Sequence, residues 1–220
     1  MVERFENREE AGRVLAGFLE EYAGCSDTLV VGLPRGGVVV AYEIAKALGV
    51  DLDVFLVRKL GAPYQPELAI GAIAEGGVKL LNEDVVGFLS LSERDIDRVA
   101  EEEYTELKRR QKRFRNGQPA KEIRDKRVIV ADDGLATGAT MKAAVKGLRV
   151  KQPEKIIVAV PVGAPSTVKQ LMGMADEVIC PNQPENFMAV GMWYEHFEQT
   201  TDEEVVDLLQ GGPGGAHRNN

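Results

Sequence analysis

The chain has 220 residues, 44% of them hydrophobic, with only two cysteines and two histidines, which suits one globular domain with a full core and leaves little material for histidine chemistry. The formal net charge of -8 argues against non-specific nucleic-acid binding. No apolar run reaches the roughly 18 residues of a membrane span, and the charged start Met1–Asn7 lacks a signal-peptide core.

Asn7 to Glu10 opens a helix as a variant capping box, with an expected apolar face of Ala11, Val14, Leu15, Phe18, Leu19 and Tyr22. Cys25 and Cys180 lie far apart and form no Cys-x-x-Cys pair, which fits structural thiols in a reducing, cytoplasmic setting. Thr28–Gly32 reads as a first strand and feeds Leu33-Pro-Arg-Gly-Gly37. A helix follows through Val38, Ala41, Ile44, Ala45 and Leu48 and stops at Gly49. Leu52–Val57 reads as a second strand ending on Arg58-Lys59. Gly61–Gly77, with Pro63, Pro66 and several glycines, reads as a mobile loop returning through a β-hairpin whose second arm is Val78–Leu81.

Ser92 begins a long charged helix, with Asp95 in its capping box, that runs to Arg115. Its stripe of Ile96, Val99, Leu107 and Phe114, with Tyr104 beside it, is too thin for a core helix. It reads as an arm, either packed on a surface or used for self-association into a homo-oligomer. Its mixed charges read by default as a solvated face.

Val128–Ala131 is a short β-branched run and so a buried strand. Asp132 and Asp133 stand at its end, followed by Gly134, Leu135, Ala136, Thr137, Gly138, Ala139 and Thr140. Then Met141, Ala144, Val145 and Leu148 recur at helix spacing. Strand, small-residue loop and helix start make a phosphate cradle, because unpaired N–H groups and the positive helix end converge there. The acids suit hydroxyls, or a cation that phosphates bring with them. A ribose phosphate satisfies the whole stretch; the plainer alternative is an ordinary strand–helix turn with acids at its tip.

Lys155–Pro161 is a further strand, Ser166 caps a helix carrying Val168, Leu171 and Met172, and Glu177–Cys180 is a last strand. Alternation of strands and helices predicts an α/β fold, a parallel sheet flanked by helices. Residues 182–197 are irregular and aromatic. Thr201 caps a short helix through Val205, Val206, Leu208 and Leu209. The Gly-rich end, residues 211–220 with His217, reads as disordered.

The stretch Val128-Ile-Val-Ala-Asp-Asp-Gly-Leu-Ala-Thr-Gly-Ala-Thr140 resembles the signature of the type I phosphoribosyltransferases, which bind phosphoribosyl diphosphate (PRPP). Ala139 stands where the family usually has glycine. The resemblance covers about residues 29–162, interrupted by the arm helix, and its whole-chain form resembles an uncharacterised bacterial group of that family. It implies a Rossmann-like α/β domain over residues 1–210, with an inserted hairpin, an arm-helix insertion at about 83–120 and a small C-terminal hood at about 181–200. Asp132 and Asp133 would hold ribose hydroxyls, and Leu135, Ala136, Thr137, Gly138, Ala139 and Thr140 the 5′-phosphate. Leu33–Gly37 is similar to the family's diphosphate loop, giving Arg35, Gly36 and Gly37 that role, although Gly and Pro punctuate most turns. In the family this loop often holds a strained peptide bond, and Leu33–Pro34 is the bond for which cis costs least.

Arg58 and Lys59, otherwise surface charge, resemble the basic pair before the family's catalytic loop. Lys59 would reach the diphosphate. Glu67 or Glu75 would accept the proton of an incoming nitrogen nucleophile, with Glu75 preferred; some purine enzymes of the family place an acid in the signature loop itself, but Ala136 occupies that position here, so that base is missing. Phe187, Trp193 or Tyr194 would stack on the acceptor, unless these rings form a satellite core. The implied activity is transfer of a 5-phosphoribosyl group to a nitrogenous base or other amine with release of diphosphate, using Mg2+. The implied partners are PRPP and a small-molecule acceptor, with no nucleic acid and no membrane. The alternative is a catalytically weak PRPP-binding regulatory or scaffold protein.

Overall fold

The computed structural model describes residues 4–211; the tail expected to be disordered, from residue 212 on, and His217 lie outside the described residues. In chain order the elements are α1 (Arg8–Ala16), β1 (Thr28–Gly32), α2 (Gly36–Leu48), β2 (Asp51–Val54), β3 (Val57–Ala62), β4 (Gln65–Ala74), β5 (Val78–Leu81), α3 (Glu83–Phe88) and α4 (Glu93–Phe114). Then come β6 (Arg127–Ala131), α5 (Ala139–Val150), β7 (Lys155–Ala159), α6 (Pro165–Leu171), β8 (Glu177–Ile179) and α7 (Asp202–Gly211). Among the described residues no helix is long and apolar enough to cross a membrane.

Five strands form an all-parallel sheet in the order β2-β1-β6-β7-β8. Successive side chains on a strand face opposite sides, so alternation sorts the residues into two cores. Leu29, Val31, Val128, Val130, Ile156 and Val158 pack under α5 and α6. Val30, Ile129, Ala131, Ile157 and Ala159 pack under α1 and α2. Burial on both faces is why these strands read as continuous apolar runs. The chain runs from β1 outward to β2, then returns to add β6 on the other side of β1. The sheet therefore has a switch point between β1 and β6, where the connections leaving their carboxyl ends part and leave a crevice.

The expected second strand is two pieces. β2 ends at Val54, and Val57 opens β3 in a separate antiparallel sheet of order β3-β4-β5. The apolar run from Leu52 to Val57 conceals the break because its members serve different cores: Leu52 faces α2, Phe55 the α5 side, and Leu56 the small sheet. Most of the expected loop Gly61–Gly77 is likewise strand, paired with β3 on one side and with the Val78–Leu81 arm on the other.

α4 has the expected Ser92–Asp95 capping box. Of its two expected roles the structure displays surface packing. Ile96, Ala100, Leu107 and Phe114 are buried against Leu60, Ile70, Ile73 and Val205, forming a third core between the small sheet, α4 and α7. Full burial of a side chain such as Leu107 or Phe114 contributes about 1.5–3 kcal/mol.

Two further expectations differ in detail. α1 ends at Ala16, and the chain continues in a single 3-10 turn, Glu20–Tyr22, leaving Phe18 exposed. α6 is entered from Ala164 with Pro165 in its first turn, not capped by Ser166, because proline's fixed φ already suits a first helical residue. The loop Leu33–Gly37 does contain a cis peptide, at Pro34–Arg35, one bond after the Leu33–Pro34 bond for which cis costs least. The thiols are unpaired, and burial pushes that of Cys180 up to about 12.

A buried charge cluster ties the two sheets. Arg115, just after α4, donates from Nε to Asp53 Oδ1 at 2.8 Å and from Nη2 to the Val54 carbonyl at 2.8 Å, and pairs with Glu75 at 3.0 Å. Arg115→Met strands two buried carboxylates without their cation. It should lower unfolding free energy by about 3–5 kcal/mol, read as the shift of the urea-denaturation midpoint against wild type.

Candidate functional site

The crevice at the switch point is built from the loops that follow β1 and β6. Both lead into helices that begin without a side-chain cap and with no acid in the first turn: α2, entered from Arg35, and α5, entered from Gly138. By contrast α1 and α4 have capping side chains and acids in the first turn, and Thr201 and Glu204 exchange hydrogen bonds at the start of α7. An uncapped start leaves N–H donors and the positive end of the helix dipole available to an anion.

Gly138 sits at φ 68° and ψ 12°, the left-handed region, and a Cβ there would collide with the Thr167 methyl. Glycine is thus required twice over. Thr167 donates to the Ala136 carbonyl at 2.7 Å, Lys142 Nζ to the Thr137 carbonyl at 3.0 Å, and the Leu135 N–H to the Val162 carbonyl at 2.9 Å. These bonds hold the loop open as a cradle. Ala136, Thr137, Ala139 and Thr140 stay exposed while Leu135 and Gly138 are buried beneath.

Asp132 and Asp133 lie between the two helix starts. A Cβ on Gly36 would collide with Asp133 Oδ2, and one on Gly37 would come within 2.8 Å of Asp132 Oδ1. The expected diphosphate loop therefore packs directly on the expected ribose acids. Burial first, and then the Asp133 charge, pushes the Asp132 carboxyl well above the usual carboxylate range. Asp133 is held by Arg8, which the sequence did not flag, and by Tyr194, expected from the sequence as an acceptor ring. Arg8 Nε donates to its Oδ2 at 2.8 Å, and the Tyr194 hydroxyl donates to its carbonyl at 2.6 Å. Burial, followed by the nearby Asp133 charge, raises the Tyr194 hydroxyl, which stays a donor. No local motif announces Arg8, since the fold alone brings it to a residue 125 positions away.

The other expected site residues are placed as follows. Arg35 makes a loose 3.7 Å pair with Asp202. Arg58 and Lys59 fall within β3, not at the end of a main-sheet strand, and so point to opposite faces. Arg58 pairs with Glu103 of α4 at 2.5 Å and lines a small cleft with Leu33, Pro34, Phe55, Arg110 and Thr140. Lys59 is half exposed and lies 3.4 Å from the fully exposed Glu67. Glu75, the expected proton acceptor, is 4% exposed and bound to Arg115, a structural engagement at odds with that role. Of the expected acceptor rings, Tyr194 is buried and stacked on Phe197 at 4.9 Å, whereas Phe187 and Trp193 are partly exposed.

The family model for the phosphoribosyl transferase domain matches residues 1–195. A Mycobacterium tuberculosis H37Rv protein provisionally named phosphoribosyl transferase Rv0571c is 47% identical over 205 residues, covering 93% of this chain and 46% of its own. The counterpart in strain CDC 1551, MT0597, matches equally. The chain thus spans about half the length of the curated relatives it matches. The crystal structure of TT1426 from Thermus thermophilus superposes with a TM-score of 0.81 at 41% identity, covering 94% of this chain and 97% of that one.

Gly36→Ala tests the packing of the crevice. Its methyl group must displace the Asp133 carboxylate and the Arg8 guanidinium, with an expected loss of about 1–3 kcal/mol. Thermal unfolding followed by circular dichroism reads it, with Gly49→Ala as a comparison where open space meets the methyl and the cost is backbone strain alone.

Proposed function

Because this chain belongs to the phosphoribosyl transferase domain family, we propose that it is a cytoplasmic PRPP-dependent phosphoribosyltransferase acting on a nitrogenous base or other amine. One observation carries this reading: two uncapped, acid-free helix starts flank two carboxylates at the switch point of the sheet. A ligand with a phosphate at one end, a diol in the middle and a diphosphate at the other matches that order.

In this reading the 5′-phosphate takes the N–H donors at the start of α5 and the hydroxyls of Thr137 and Thr140. Asp132 and Asp133 accept hydrogen bonds from the ribose hydroxyls. The diphosphate lies over Gly36 and Gly37, where the N-terminus of α2 and Arg35, Arg58 and Lys59 stabilise the negative charge that grows as it leaves. The bond from the anomeric carbon to the diphosphate oxygen breaks, the electron pair departs with diphosphate, and the acceptor nitrogen forms the new bond.

Among the described residues no group of three or more Asp, Glu, His or Cys could cage a metal. The donor set fits Mg2+ all the same, since that ion commonly binds through one or two carboxylates plus substrate phosphates and waters. Asp132 and Asp133 would hold it, and its chemistry there is neutralisation of the leaving diphosphate. Glu67 becomes the candidate proton acceptor in place of Glu75. Phe187 and Trp193 remain the candidate acceptor rings.

The engagement of Glu75 by Arg115, together with Ala136 in the signature loop, favours a second reading, a PRPP-binding regulatory or scaffold protein. Slow diphosphate release with every purine, pyrimidine and amine tested would support it over the enzyme.

The donor site is tested by calorimetric titration with PRPP, with and without Mg2+. Wild type should bind in a Mg2+-dependent way. Asp132→Asn and Asp133→Asn should each weaken binding about tenfold to a hundredfold, the worth of a charged hydrogen bond, while remaining folded. Unchanged affinity in folded variants would remove the assignment.

A further inference from the structure

Asp133 is anchored at both ends, and both anchors come from outside the signature. Its carboxylate meets Arg8, the first residue of α1, at 2.8 Å with side-chain exposures of 11% and 17%. Its carbonyl accepts from Tyr194. The Arg8 guanidinium is fixed on two further sides: Nη1 donates to the Glu198 carbonyl at 2.8 Å, and the guanidinium carbon lies 3.9 Å from the centre of the Phe197 ring. That ring stacks in turn on Tyr194. A guanidinium held by a carboxylate, a carbonyl and an aromatic face has little freedom left, and its planar fork suits this better than an ammonium.

Among the described residues Asp132 has no comparable restraint. Its Oδ1 accepts from the Asp133 N–H at 2.9 Å. The ion pair also forms the surface on which Gly36 rests, since a Cβ there would come within 2.6 Å of Arg8 Nε. The contact therefore reaches the proposed ribose and diphosphate positions together.

We propose that Arg8, seated on the Phe197 ring of the C-terminal segment, is a positioning residue that fixes Asp133 for the ribose of the phosphoribosyl donor. By occupying Oδ2 it leaves Oδ1 as the oxygen presented to the donor. The N-terminal helix and the aromatic hood thereby become part of the donor site, although neither carries a donor-binding motif. The inference rests on the donor-site reading above.

The experiment is Mg2+-dependent PRPP binding to wild type, Arg8→Gln and Arg8→Lys, with the thermal midpoint of each. Arg8→Gln should weaken binding by at least about tenfold, the scale of losing an outer partner of a ligating side chain. Arg8→Lys, which restores the charge without the fork, should recover part of that loss. Arg8→Gln binding as tightly as wild type overturns the proposal. So does a loss that Arg8→Lys leaves unrepaired and that follows the thermal midpoint alone, since that marks a merely structural contact. If Arg8→Gln does not fold, Phe197→Leu takes its place: it removes the ring and keeps both charges, and an unchanged affinity again overturns the proposal. Failure of wild type itself to bind PRPP would sink the donor-site reading, and this inference with it, and is distinguished from the other outcomes by the wild-type titration.

Discussion

The structure depends on one close approach. Where β1 and β6 lie side by side, the first residues of α2 pass so near to Asp132 and Asp133 that a single methyl group does not fit between them. Glycine at positions 36 and 37 lets backbone, rather than side chain, form one wall of the crevice. Two helix dipoles can then point into a space that also holds two carboxylates. Like charges are kept apart there by what surrounds them: one oxygen of Asp133 is taken by Arg8, and burial favours the neutral form of Asp132. In the proposed reading, the crevice takes an anion at either end and hydroxyls in the middle.

The second sheet and α4 complete the crevice from the side. The helix that reads as an arm takes the first of its two expected roles and packs as a cover, with its apolar stripe laid on β3 and on α7. Arg115 at its end reaches the end of β2 and Glu75 beyond β4. The same packing presents Arg58 and Arg110 to the cleft shared with Pro34 and Thr140, so the placement of cationic side chains near the loops after β1 and β6 depends on a core of its own.

The main sheet and the strand–loop–helix turn around Asp132 and Asp133 were legible in the sequence because they rest on local rules. β-branched runs bounded by Gly and Asp marked Thr28–Gly32 and residues 128–131, and the Ser92–Asp95 box marked the residue at which α4 starts. The split at Phe55 was not legible, since a strand serving one core and a bend serving three present the same apolar pattern. Glu75 shows the limit for the site. From sequence it is an acid in a glycine-rich loop, and its engagement depends on Arg115, 40 positions away. Arg8 is the converse case, a charged residue at an ordinary helix start that becomes part of the site through tertiary packing alone.

The most direct measurement is a crystal structure of the protein with PRPP and Mg2+. The account predicts the 5′-phosphate on the Leu135–Thr140 loop, ribose hydroxyls on Asp132 and Asp133, and the diphosphate over Gly36 and Gly37. PRPP bound elsewhere, or with its diphosphate on the α5 loop and its ribose away from the two acids, would contradict it.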